Sequence, residues 1–176
     1  MPGLETTFAD DAWFNTADHA DEIEFDSADS ALRFWQTARA SSEQGDPLPD
    51  VPPTPEGLTA WFAANPDMVV SEPEAVTLGD GIAATALTMR ISDTDVNVDP
   101  GCPSGVRSCL NVLWIDDGHV FAIGCGAAVR LHLLTVGTGS DARTIVISLD
   151  APDDSQLAAT TARVAPILKG LRLPRP

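Results

Sequence analysis

From Glu74 to Leu149 the chain runs as strand, tight turn, strand, three times over, and that succession constrains the fold more than any other feature. Glu74-Ala-Val-Thr-Leu78 leads through Gly79-Asp80-Gly81 into Ile82–Ile91. Residues 110–115 lead through Asp116-Asp117-Gly118 into residues 119–123, and residues 129–136 lead through a polar turn at 137–141 into residues 144–149. β-Branched and apolar residues fill the runs, and Gly and Asp supply positive φ cheaply at the turns. Strands joined this tightly pair antiparallel. The third hairpin is apolar enough to be buried on at least one face. Three short aromatic-bearing runs precede these hairpins: Ala12-Trp-Phe-Asn15, Glu22-Ile-Glu-Phe25 and Ala31-Leu-Arg-Phe-Trp35. They read as the first strands of an antiparallel sheet.

Two helices stand out. The first spans 55–65. Thr54 can cap it, Pro55 suits its first position, and Glu56 favours the positive end of its dipole. Leu58, Trp61 and Phe62 form one apolar face. Asn65-Pro66 stops it, because a residue before proline avoids the α region. The second helix spans 154–171, with Leu157, Thr161, Val164, Leu168 and Leu171 drawing a continuous stripe. Residues 41–55 carry five prolines and form a Pro-rich surface loop. The chain of 176 residues suits one domain over 1–176, large enough to bury about two-thirds of its unfolded surface. The expected fold is α+β: a twisted antiparallel sheet with the two main helices packed against it.

Charge excludes some partners. Residues 1–100 hold twenty Asp and Glu against three arginines, while residues 101–176 are nearly balanced. So acidic a chain repels phosphate backbones, so no nucleic acid is expected as partner. No apolar run reaches the ~20 residues of a bilayer-spanning helix, so no membrane insertion is expected either.

Chemical motifs are sparse. Asp93, Asp95, Asn97 and Asp99 alternate at period two. In an extended segment such side chains spread along the strand rather than converge, and the Gly and Glu of a calcium loop are missing, so no metal site is expected. His19, His119 and His132 lack metal-ligand spacing. No serine sits in a Gly-x-Ser-x-Gly elbow, and Ile123-Gly-Cys-Gly-Ala127 lacks the marks of a phosphate loop. No catalytic residue and no cofactor is expected. Cys102 and Cys109 lie seven apart in a Gly- and Pro-rich segment that can close on itself, so they are expected to form a local disulfide. That pairing implies an oxidising compartment. Cys125 is the odd cysteine, expected as a buried strand residue between two glycines that bend the chain. The first seven residues have neither a basic region nor an apolar stretch. An extracytoplasmic location therefore implies a targeting segment outside this sequence, and a cytoplasmic location with reduced cysteines is the alternative.

The segments Leu58-Thr-Ala-Trp-Phe-Ala-Ala-Asn-Pro-Asp67, Val69-Val-Ser-Glu-Pro-Glu-Ala-Val-Thr-Leu78, Arg130-Leu-His-Leu-Leu-Thr-Val136, Val146-Ile-Ser-Leu-Asp-Ala-Pro152 and Ala165-Pro-Ile-Leu-Lys-Gly-Leu-Arg-Leu173 resemble a module recurrent in actinobacterial extracytoplasmic proteins with the PsbP-like α+β fold. The resemblance implies a position outside the membrane, after a transmembrane segment or lipid anchor, and it implies no catalytic residues. The expected function is a non-enzymatic extracytoplasmic binding or sensory module for an unknown protein or small apolar ligand. The alternative is a small enzyme or cyclase-like catalyst with an apolar pocket between sheet and helix. In either case Trp35, Trp61, Phe62 and Met89 are the candidate pocket residues. Homo-oligomerisation through an exposed sheet edge is a further possibility.

Overall fold

The hairpin-rich half of the chain folds largely as its sequence dictates. The computed structural model describes residues 5–6, 8, 13–18, 22–28, 30–92, 109–116 and 119–172. Its strands are β1 (Phe14–Asp18), β2 (Glu22–Ser27), β3 (Ser30–Trp35), β4 (Arg39–Ala40), β5 (Met68–Val70), β6 (Glu74–Leu78), β7 (Ile82–Ile91), β8 (Cys109–Asp116), β9 (His119–Gly124), β10 (Ala128–Val136) and β11 (Arg143–Ala151). Its helices are α1 (Pro55–Ala64) and α2 (Asp154–Lys169). The molecule is α+β and mostly antiparallel sheet. The two shortest strands, β4 and β5, have too few residues to show a period in sequence.

The strands divide between two sheets. Eight form one sheet in the order β1-β2-β3-β11-β10-β7-β5, with β6 also paired to β7, and β4-β8-β9 form a second. The expectation of one sheet is corrected here. β7 and β10 pair with each other over Ala128↔Arg90 to Leu133↔Thr85. The β8–β9 hairpin thus finds no open neighbour between them, and packs its apolar side chains against the large sheet instead.

Alternation along the central strands builds a core on each face. Val129, Leu131 and Leu133 of β10 join Leu87 and Met89 of β7, Leu58 and Phe62 of α1, and Val112, Ile115 and Ile123 of the small sheet. On the other face, Ile145, Ile147 and Leu149 of β11 join Leu32 and Phe34 of β3 and Leu157, Val164, Ile167 and Leu168 of α2. The β10–β11 hairpin is therefore buried on both faces. Along α2, Thr160 and Ile167 are buried and Thr161 is only half-buried, so the stripe lies one residue earlier there than its sequence suggests. The Thr161 hydroxyl donates to the Leu157 carbonyl at 2.7 Å.

The expected Thr54 cap forms, and Asp153 caps α2 in the same way. Thr54 Oγ1 accepts from Gly57 N at 3.1 Å, and Asp153 Oδ1 accepts from Gln156 N at 2.9 Å. Among the described residues no helix is long and apolar enough to cross a membrane.

Candidate functional site

Three of the four candidate pocket residues are core. Trp35, Phe62 and Met89 are buried to 1%, 0% and 0% exposure and belong to the cluster between the large sheet, α1 and the small sheet. Packing of this kind leaves side chains surrounded by other side chains. The Trp35 indole N–H donates to Glu22 Oε1 at 2.9 Å, and its ring lies 4.9 Å from that of Phe121. Trp61 is different. It is half-buried at the margin of the same cluster and lines an open groove of about 360 Å³.

Local structure positions that groove. Leu58 and Phe62 anchor α1 in the core, which turns Trp61 toward the margin. The Trp61 ring stands edge-on to Phe62, with centroids 5.2 Å apart. Past the helix end, Asn65 Oδ1 accepts from Asp67 N at 2.9 Å, and Asp67 O accepts from Ser92 N at 2.8 Å. The opposite wall is the turn after β4. There Ser42 N donates to Asp46 O and Gly45 N to Ser42 O. Gly45 holds φ +86°, which favours glycine, and an added Cβ would also press on Val120 at 3.2 Å. Asn111 of β8 ties this turn down, its side-chain amide donating to Glu43 O at 2.8 Å.

What remains uncommitted in the groove is mixed in kind. Among the described residues, the Trp61 indole N–H, the Asn65 amide N–H₂, the Asn111 amide oxygen and the Glu43 and Asp67 carboxylates make no hydrogen bond or ion pair. Leu48 and Leu110 add apolar lining, and no lining residue is basic.

A second open cleft, of about 590 Å³, lies over β2, β3 and β11. Register creates it. Arg33 stands opposite Glu24 on β2 and Ser148 on β11, with Asp150 two residues further along. Arg33 donates from Nε to Glu24 Oε1 at 2.8 Å and pairs through NH1 with Asp150 Oδ2. Its guanidinium also sits 5.8 Å from the centre of the Phe121 ring. These donors are committed within the protein. The groups left over are the Asp26 carboxylate and, buried, Asp150 Oδ1 and the Ser148 hydroxyl. Phe14, 66% exposed, stands at the rim. Nearby, Glu22 is buried and its Oε2 lies 3.0 Å from His119 Nδ1, tying β9 to β2.

The shifted titrations lie elsewhere. Burial, reinforced by the Arg130 charge and partly opposed by Glu74, lowers His132 to about 4. The Gln156 backbone N–H, helped by the Ser155 hydroxyl and the Gln156 amide, lowers the Asp153 carboxyl to about 2. Neither residue lines the groove or the cleft. No three His, Cys, Asp or Glu side chains are grouped to hold a metal among the described residues.

Cys109 is disulfide-bonded. Its expected partner Cys102, the acidic run 93–99 and His19 lie outside the described residues. Cys125 is free and exposed, not buried as expected, because it sits in the turn after β9 beside Gly126 at φ +88°.

Asn65, Asn111 and Glu43 escaped the sequence reading because they come from separate segments with no shared motif. Arg33 and Asp150 escaped it because their pairing depends on strand register. The one available signal was the period-two run Glu22, Glu24, Asp26, which places three carboxylates on one face of β2. The chain matches no protein-family model, and no curated protein matches it as a relative.

Proposed function

We propose that this chain is a non-enzymatic extracytoplasmic binding module that takes a small ligand in the Trp61 groove. The observation that carries this reading is the coexistence there of an aromatic ring, uncommitted donors and uncommitted acceptors. A volume of about 360 Å³ falls within the ~300–1,000 Å³ usual for small-molecule sites. These groups are open to water in the free protein, and a ligand that reproduces the hydrogen bonds of the water it displaces can bind there without loss. The disulfide at Cys109 supports an oxidising location. The resemblance to PsbP-like extracytoplasmic modules supports the same placement, with α1 and α2 flanking a twisted sheet. The enzyme alternative gains less support. Trp35, Phe62 and Met89 occupy the space between sheet and helix that its apolar pocket requires.

The test is a ligand screen on the isotopically labelled chain, read by amide chemical shifts. The panel holds neutral sugars, amines, short peptides and fatty acids. Saturable shifts confined to residues 41–48, 61–67 and 110–111 support the reading. Saturable binding only at Arg33 and Asp150, or none across the panel, overturns it.

A further inference from the structure

We infer that the Trp61 groove is built for a neutral polyhydroxylated ligand, a carbohydrate in chemical class. This inference rests on the groove being the binding site. A sugar ring presents two kinds of surface: an apolar face of C–H bonds, and a rim of hydroxyls that each donate and accept. The groove offers a counterpart to both. Trp61 supplies a broad aromatic surface, and its edge contact with the fully buried Phe62 limits how far the ring can swing. Around it lie three uncommitted donors, the Trp61 N–H, the Asn65 amide N–H₂ and the Ser42 hydroxyl, whose oxygen accepts from Asp46 N. Three uncommitted acceptors belong to residues that line the same depression: the Asn111 amide oxygen and the carboxylates of Glu43 and Asp67.

Other ligand classes use this set less fully. An anion meets two carboxylates and no basic group. A fatty or purely apolar ligand would bury the polar lining without replacing its hydrogen bonds with water. An organic cation can use Trp61 and the carboxylates but leaves the Trp61 and Asn65 donors unanswered. A ligand whose groups donate and accept together answers all of them, and a sugar ring, unlike a peptide bond, also offers Trp61 an apolar C–H face. The existing bonds also fix two of the amides. Asn65 is held through its oxygen and Asn111 through its nitrogen, so each presents the opposite end of its amide.

The experiment titrates the full chain with cellobiose and maltose, in parallel with tetramethylammonium and spermidine, following amide shifts and the Trp61 indole N–H resonance. Saturable shifts at residues 41–48, 61–67 and 110–111 with a disaccharide are expected. Trp61→Ala should weaken that binding roughly tenfold or more, and Asn111→Ala by about threefold to tenfold, the loss of one neutral hydrogen bond. Glu43→Gln keeps the shape, leaves the fold undisturbed at an exposed position, and should weaken disaccharide binding by no more than that. Two results overturn the inference while sparing the binding reading. One is a groove that takes the amines in a Trp61-dependent way and ignores the disaccharides. The other is groove binding by a different member of the screening panel. Disaccharide binding unaffected by Trp61→Ala overturns the inference too, since it places the sugar elsewhere. No response in the groove to any ligand overturns both readings.

Discussion

The cleft at Arg33 and the groove at Trp61 are both open depressions with charged linings, yet their polar groups are arranged differently. At Arg33 the cation faces carboxylates inside the protein, and Glu24, Arg33 and Asp150 are each only about a fifth exposed. At Trp61 the polar groups hold their own loops together through one end and leave the other end unpaired. The Arg33 cluster commits its cation inside the protein, and what it leaves unpaired, Asp150 Oδ1 and the Ser148 hydroxyl, is buried out of a ligand's reach, so it chiefly stabilises the fold. A cluster held in place but left half-satisfied can recognise something else. The difference comes from where the residues originate. The Arg33 cluster is set by register across three paired strands, whereas the Trp61 groove gathers a helix end, a turn and a strand start.

The largest expected effect breaks or upholds the structural half of this comparison. Arg33→Met leaves two mostly buried carboxylates without their partner. It should cost about 3 kcal/mol in denaturant melts, the lower end of what breaking a buried pair costs. A loss under about 0.5 kcal/mol, the range of ordinary surface changes, would mean that the cluster is not structural after all.

His132 extends the comparison to the opposite face of the sheet, where an unpartnered ring nitrogen is buried and lines neither depression. Its folded pKa, about 4, lies below the 6.5 of the free side chain. The unfolded chain therefore binds the proton first. Stability from keeping His132 neutral is complete above pH 6.5 and drains away as pH falls toward 4. The total is about 3 kcal/mol. Urea midpoints measured across that interval should fall with pH, and His132→Leu should flatten the slope. An unchanged slope in the variant would assign the acid sensitivity elsewhere.

The disulfide bears on the groove side, because Cys109 directly precedes Leu110 and Asn111. Thiol counting under denaturing conditions, without reductant, should find one free cysteine, Cys125. Closing so short a loop should contribute ~2 kcal/mol on the chain-entropy model. Three free thiols would remove both the pairing of Cys102 with Cys109 and the argument for an oxidising compartment.

The smallest effect sharpens the comparison most. Glu43→Gln should leave stability within about 0.5 kcal/mol, since its carboxylate holds nothing in the protein. If it destabilised the chain as much as Arg33→Met does, the groove would be a structural cluster like the cleft, and its claim as a recognition site would fall.

Much of the fold was legible because local physics decided it. Thr54, Pro55 and Asn65-Pro66 mark the ends of α1 by capping and by proline sterics, and the structure keeps Pro55–Ala64. The turns at 79–81 and 137–141 join the hairpins they were expected to join. The apolar run of β10 and β11 declared burial, although not that it would extend to both faces. Of the site, only Trp61 was legible, and it was read as one of four equivalent residues. Helical periodicity places Trp61 and Phe62 side by side on one face. It cannot say that Phe62 reaches the core at 0% exposure while Trp61 stops at its margin.

The sequence by itself determined the class of the longer elements, the antiparallel sense of the hairpins and the cap of α1. These depend on neighbours within a few residues. Tertiary structure alone decided that β8 and β9 would leave the main sheet, that Arg33 would face Glu24 and Asp150, and that Asn65, Asn111 and Glu43 would meet around Trp61. Those contacts join residues up to 117 positions apart. Which strands pair, and in what register, is set by how all the apolar faces can be buried at once, and no local stretch of sequence carries that information.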